Sequence, residues 1–130
     1  GRAGMTPEEA VREGWKLSFS DDFIRTHRTE LEGHMRRALT QVTPRFAYER
    51  HFQATLTLRV FKQLKEITAP TLVVTGKDDI LIPAANSAIL AREIPGAELT
   101  ILDNAGHGFF ISARDRFVPV FQEFLARQPL

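Results

Sequence analysis

The stretch Pro70-Thr71-Leu72-Val73-Val74-Thr75-Gly76-Lys77-Asp78-Asp79-Ile80-Leu81-Ile82-Pro83 decides the fold. Thr71 to Thr75 is a β-branched run with apolar residues side by side, the pattern of a strand covered on both faces. A loop with one lysine and two aspartates follows, and Pro83 opens a helix through Ala88, Leu90 and Ala91. Ile94-Pro95-Gly96-Ala97 ends that helix with a turn. Leu99-Thr100-Ile101-Leu102 reads as a second strand, and a loop from Asp103 to Phe110 leads to a last helix around Phe117, Phe121, Phe124 and Leu125. Pro119 sits inside that pattern, so the helix either starts late or kinks there. Strand, helix, strand, helix implies an α/β fold with parallel strands and a right-handed crossover. Two parallel strands do not make an independently stable sheet, and Leu72-Val73-Val74 asks for neighbours on both sides. The expectation is one flank of a larger sheet.

Upstream of Pro70 the apolar residues recur at helical spacing. Thr6-Pro7-Glu8-Glu9 offers an N-cap hydroxyl, a proline at the first helical position and an acid at the third. Val11, Trp15 and Phe19 then form one apolar stripe. Ser20 caps a second short helix carrying Phe23 and Ile24. Thr29 with Glu32 reads as a further capping box, with Leu31, Met35, Ala38 and Val42 as the apolar face behind it. Thr43-Pro44 opens a segment through Phe46 and Phe52, and Phe61, Leu64 and Ile67 end the helical half. Its phenylalanines are expected to form that half's core, with the lining of a substrate cleft as the alternative for some of them.

The 130 residues suit one domain of ordinary size, and 43% apolar with 25% charged residues is a globular composition. No apolar run approaches the roughly 18–20 residues that cross a membrane. No apolar leader stands ahead of Met5. The absence of cysteine excludes disulfides and thiolate metal sites and makes the cytoplasm the expected setting. Basic residues outnumber acidic ones 12 to 9 over residues 1–69 and fall behind, 5 to 7, over residues 70–130. So small and interleaved an excess gives no nucleic-acid surface. His27 and His34 are seven apart, but no acid or third histidine completes a metal site with them.

Reactive groups in open α/β sheets sit on the loops that leave the C-terminal strand ends. Both such loops here carry ionisable residues: Asp78 and Asp79 in the first, His107 in the second. An acid at one strand end and a histidine at the next can meet over the sheet edge. A carboxylate accepting the imidazole Nδ1–H leaves Nε2 as a general base. Leu81-Ile82 and Phe109-Phe110 flank these groups and are the expected walls of an apolar substrate pocket.

With these residues in view, the chain resembles the C-terminal half of the α/β-hydrolase superfamily. Leu64 to Pro83 looks like that family's penultimate strand and acid loop; Ile94-Pro95-Gly96-Ala97-Glu98-Leu99 with Gly106-His107 looks like its last strand and histidine loop. The resemblance places the acid three residues after the strand-ending glycine, which selects Asp79, and maps the catalytic histidine to His107. It makes residues 1–67 a helical cap and residues 68–130 the last two strand–helix units of the core. Where members often carry glutamate and proline five and seven residues after the histidine, this chain has Ser112 and Arg114; the phenylalanine that follows is met by Phe117.

The family's nucleophile turn, G-x-S-x-G, is absent: none of Ser18, Ser20, Ser87 or Ser112 has glycines two positions away on both sides. The resemblance therefore implies the cap, acid and base of a hydrolase of esters, lactones or similar small carbonyl compounds, inactive by itself. It implies no metal and no organic cofactor. An aspartate nucleophile, as in epoxide hydrolases and haloalkane dehalogenases, is the alternative within the fold. A non-catalytic, self-associating module is the alternative outside it. Expected partners are a small-molecule substrate and either a second copy or the missing N-terminal half, with no membrane and no nucleic acid.

Overall fold

The structure is a computed structural model that describes residues 4–41 and 43–128. Helix α1, Pro7–Ser18, starts at a reciprocal cap: the Glu9 N–H donates to Thr6 Oγ1 at 3.2 Å and the Thr6 N–H to Glu9 Oε2 at 2.8 Å. Helix α2, Asp21–Thr26, is capped by the Ser20 hydroxyl, which accepts the Phe23 N–H at 3.2 Å. Both ends form as local chemistry dictates, because the capping group and the donors it satisfies lie within three residues.

Helix α3, Arg28–Leu39, corrects the expected box at Thr29. Its N-cap is His27, with no side-chain bond, and Thr29 lies inside the first turn. Glu32 is engaged elsewhere, its two oxygens accepting Arg12 Nε and Nη2 of α1 at 2.8 and 2.9 Å. That bond to Arg12 holds the Glu32 carboxyl below its ordinary range against the opposing effect of burial. Trp15, Leu31 and Met35 form a small core between the first three helices, with Val11, Phe19, Phe23, Ile24 and Leu39 packed around it. Ala38 is exposed and Leu39 takes the place expected of it, while Val42 lies outside the described residues.

A second correction concerns the aromatic residues that follow. Helix α4, Arg45–Thr57, buries none of its side chains, and Phe46, Tyr48, Phe52 and Leu56 are all more than half exposed. A 3₁₀ helix at Phe61–Glu66 buries Leu64 but leaves Phe61 exposed. These aromatics are surface here, not core.

Strand β1, Leu72–Gly76, pairs in parallel with β2, Glu98–Leu102, in the register Leu72↔Glu98 through Gly76↔Leu102. Helix α5, Ala84–Glu93, joins them and packs on both strands. The turn after it needs Gly96, whose φ of +72° a side chain would strain. The chain then passes through a short α6, Phe109–Ser112, into α7, Arg114–Ala126. Pro119 stands at the sixth position of α7 without ending it. Leu102, Ala105 and Ala113 form a second core, closed by Val74, Phe109 and Phe117. Among the described residues the sheet has two strands only, and no helix is long and apolar enough to cross a membrane.

Candidate active site

The register sets the site. Because Gly76 pairs with Leu102, β1 and β2 end level and their following loops leave side by side. Two backbone bonds stitch those loops together: Lys77 N–H to the Leu102 carbonyl and Asp78 N–H to the Ala105 carbonyl, both 2.9 Å. Gly76 makes the approach possible. A Cβ there would overlap the Ala105 carbonyl and stand 2.5 Å from the Gly106 oxygen. At the rim, Lys77 Nζ binds Asp103 Oδ1 at 2.8 Å, an ion pair that raises the lysine and lowers the aspartate from their ordinary values.

Within this frame Asp79 turns inward, its side chain only 5% exposed. Oδ1 accepts the backbone N–H groups of Leu81 and Ile82 at 2.9 and 2.8 Å. Oδ2 faces His107 Nδ1 at 2.9 Å. Burial alone pushes the Asp79 carboxyl up, yet the Ile82 N–H, His107 and the Leu81 N–H together outweigh it and hold the group below its usual value. The carboxylate is thus charged, oriented by three donors and nearly out of contact with water.

His107 is 37% exposed at its side chain, so one end of the ring faces Asp79 while solvent reaches the rest. Among the described residues its Nε2 makes no hydrogen bond. A carboxylate at Nδ1 holds the proton on that nitrogen and leaves the Nε2 lone pair to take a proton from a reacting group. Asp78, the neighbouring acid, is exposed and contributes its backbone to the loop pairing, not its carboxylate to the histidine.

The four expected pocket residues differ in burial. Leu81, Ile82 and Phe110 are about half exposed, and Phe109 turns into the core beside Ala113 and Phe117. Two clefts lie nearby. One of about 550 Å³ runs between the α1–α2 corner and the paired loops, lined by Ser18, Phe19, Asp21, Asp78, Ile80 and Gly106. The other, about 630 Å³, lies between Phe23, His27 and Glu30 on one side and Ile111, Arg114 and Val118 on the other. The donor role of the Leu81 and Ile82 backbone escaped sequence reasoning, which weighed only their side chains. The available signal was an aspartate two and three residues ahead, the spacing of an Asx turn. His27 and His34 do not join: His27 stacks on Phe23 with centroids 4.0 Å apart, and His34 lies beside Arg37 and Glu30.

Residues 49–128 match the family described as TAP-like protein. The protein named "Putative carbamate hydrolase RutD" of Stutzerimonas stutzeri (strain A1501) is 31% identical over 107 residues, which are 82% of this chain and 40% of that protein. The poly(3-hydroxyalkanoate) depolymerase of Ectopseudomonas oleovorans is 43% identical over 65 residues, half of this chain and 23% of that one. The crystal structure of the enol-lactonase from Burkholderia xenovorans LB400 superposes with a TM-score of 0.81 at 22% identity, over 93% of this chain and 45% of that one. The chain spans less than half the length of each of these relatives.

Proposed function

The chain belongs to the α/β-hydrolase superfamily through its TAP-like family match, and on that premise we propose that it carries the acid and the base of a nucleophile–histidine–acid triad. His107 would take the proton of the nucleophile and later return it to the leaving group, with Asp79 orienting the ring and stabilising the imidazolium. The substrate class is an ester, lactone or similar small carbonyl compound; carbamate and lactone both occur among the names of the relatives. The observation that carries the proposal is the 2.9 Å contact between Asp79 Oδ2 and His107 Nδ1, made by a carboxylate that two backbone N–H groups already hold in place. Residues 1–67 act in this proposal as the cap and residues 68–130 as core, with Leu81, Ile82 and Phe110 on the rim of the substrate entrance.

Hydrolysis of p-nitrophenyl esters and enol-lactones by the intact gene product tests the assignment. Activity should disappear in His107→Ala and fall strongly in Asp79→Asn, whereas Asp78→Asn should stay near the parent rate. Equal loss in Asp78→Asn and Asp79→Asn would overturn it. The 130 residues alone lack a G-x-S-x-G turn, so they should show no turnover above background. A rate that survives purification and vanishes in His107→Ala would show that the site is complete without that turn.

A further inference from the structure

We infer that Phe19 and the Ser18 carbonyl, at the C-terminal end of α1, are positioning groups for His107. The inference rests on the reading of His107 as the base and adds what holds it there. Both glycines that flank His107 are in contact with this one dipeptide. The Gly108 N–H donates to the Ser18 carbonyl at 2.8 Å. A Cβ on Gly106 would stand 3.0 Å from the same oxygen. A Cβ on Gly108 would stand 2.7 Å from Phe19 Cζ and 2.8 Å from Cδ1, so the phenyl ring lies directly against the loop backbone.

The other side of the loop is tied to the loop after β1 through the bond from the Asp78 N–H to the Ala105 carbonyl. His107 is therefore suspended between two anchors: the acid loop behind it and the end of α1 on its other flank. Among the described residues the ring has one hydrogen-bond partner, Asp79, at 2.9 Å. A backbone shift of about 1 Å takes such a contact beyond hydrogen-bonding range. Phe19 is itself held firmly. Its N–H donates to the Trp15 carbonyl at 2.8 Å, its ring stacks on Phe23 with centroids 5.2 Å apart, and it packs on the Trp15–Leu31–Met35 core. Contact thus runs without a gap from the helical core through Phe19 and Gly108 to His107. A movement of α1 against the sheet would release the histidine from its acid, which makes the helical segment a gate on the base as well as a cover.

Nitrogen-15 NMR of His107 in the 130-residue chain tests this without requiring turnover. In the parent chain the Nδ1–H bound to Asp79 should give a resonance protected from exchange with water. Phe19→Ala should speed that exchange at least tenfold while the amide signals of β1 and β2 stay in place, and Phe19→Leu should restore most of the protection. Gly108→Ala should do the same as Phe19→Ala by displacing the ring. The two changes together should be no worse than either alone. Parent-like protection in Phe19→Ala overturns the inference, and so does loss of the strand amides along with it, since Phe19 would then serve the fold as a whole. Absence of a protected Nδ1–H in the parent overturns the pairing with Asp79 itself, and the proposed function with it.

Discussion

The backbone N–H of Asp78 donates to the carbonyl of Ala105 at 2.9 Å, and that bond joins the loop after β1 to the loop after β2. Asp79 and His107 are 28 residues apart in sequence, so nothing local brings them together. Level strand ends, the Lys77 and Asp78 backbone bonds and a glycine at the contact point do so instead. Rigid elements hold the pair, and side-chain bonds only complete it.

Gly76→Ala tests that frame. Its Cβ would meet the backbone of Ala105 and Gly106, which cannot swing aside as a side chain could. Overpacking commonly costs about 1–3 kcal/mol, and a backbone collision belongs at the upper end, near 3 kcal/mol. Urea unfolding should show that loss together with loss of the protected His107 Nδ1–H. A change below about 0.5 kcal/mol, the size of an ordinary surface substitution, would show that the loops can part freely.

Asp79 makes stability depend on pH in a defined direction. Its carboxyl lies below the ordinary value in the folded chain, burial opposing and the Ile82 N–H, His107 and Leu81 N–H prevailing. The stabilisation is therefore complete above the unfolded value, about 3.9, and is lost as pH falls through the lower folded value. Asp79→Ala should cost about 2–3 kcal/mol at neutral pH by stranding two backbone donors and the imidazole. Asp79→Asn should cost less but flatten the decline of stability below about pH 4. In the intact gene product it should also lower kcat by about 10⁴-fold, because an amide N–H facing Nδ1 selects the wrong tautomer. A stability curve that Asp79→Asn leaves unchanged in acid would remove the carboxylate from this role.

Which features were legible in the sequence follows from range. The caps at Thr6 and Ser20 are local, and both strands declare themselves through β-branched runs bounded by proline and glycine. Thr29 with Glu32 has the same spacing as a true capping box, yet Arg12, 20 residues upstream, engages the carboxylate instead. Only tertiary structure reveals that competitor. Phe46 and Phe52 are apolar but carry no strong helical stripe, so their type suggested a core that α4 does not form. The joining of the Asp79 and His107 loops follows from strand order. The Phe19 contact with Gly108 has no sequence signal at all, since any aromatic at position 19 fits the same pattern.

The helical core should be separable from the strand-end site in stability though not in geometry. Leu31 is 2% exposed between Trp15 and Met35. Leu31→Ala removes three buried carbons and should cost about 3 kcal/mol, within the usual 2–5 kcal/mol for such truncations. The β1–β2 amides should stay dispersed in NMR spectra while exchange in α1 to α3 quickens. Uniform loss across both regions would mean one cooperative unit.

The surface left by α4 makes a prediction about assembly. Phe46, Tyr48, Phe52 and Leu56 expose 52–64% of their area along a single helix, and Leu58 and Phe61 beyond it are exposed as well. β1 pairs on one side only, so its other edge offers unpaired backbone groups among the described residues. Contiguous apolar surface beyond a few hundred Å² is uncommon on soluble monomers, and a bare strand edge is a template for another chain. An isologous contact across a two-fold axis buries the same patch on each copy, and self-association of this kind is the expected way for the chain to cover such surface. Sedimentation at micromolar concentration should therefore report a dimer or larger species of the 130-residue chain. Phe46→Glu with Phe52→Glu should shift it toward monomer, since two carboxylates per copy would then face one another across the contact. The charges add no cavity to either core, so the circular dichroism spectrum should stay that of the parent. A strictly monomeric parent with a cooperative thermal transition would show that water tolerates the α4 face, and the edge of β1 would then need no partner to persist.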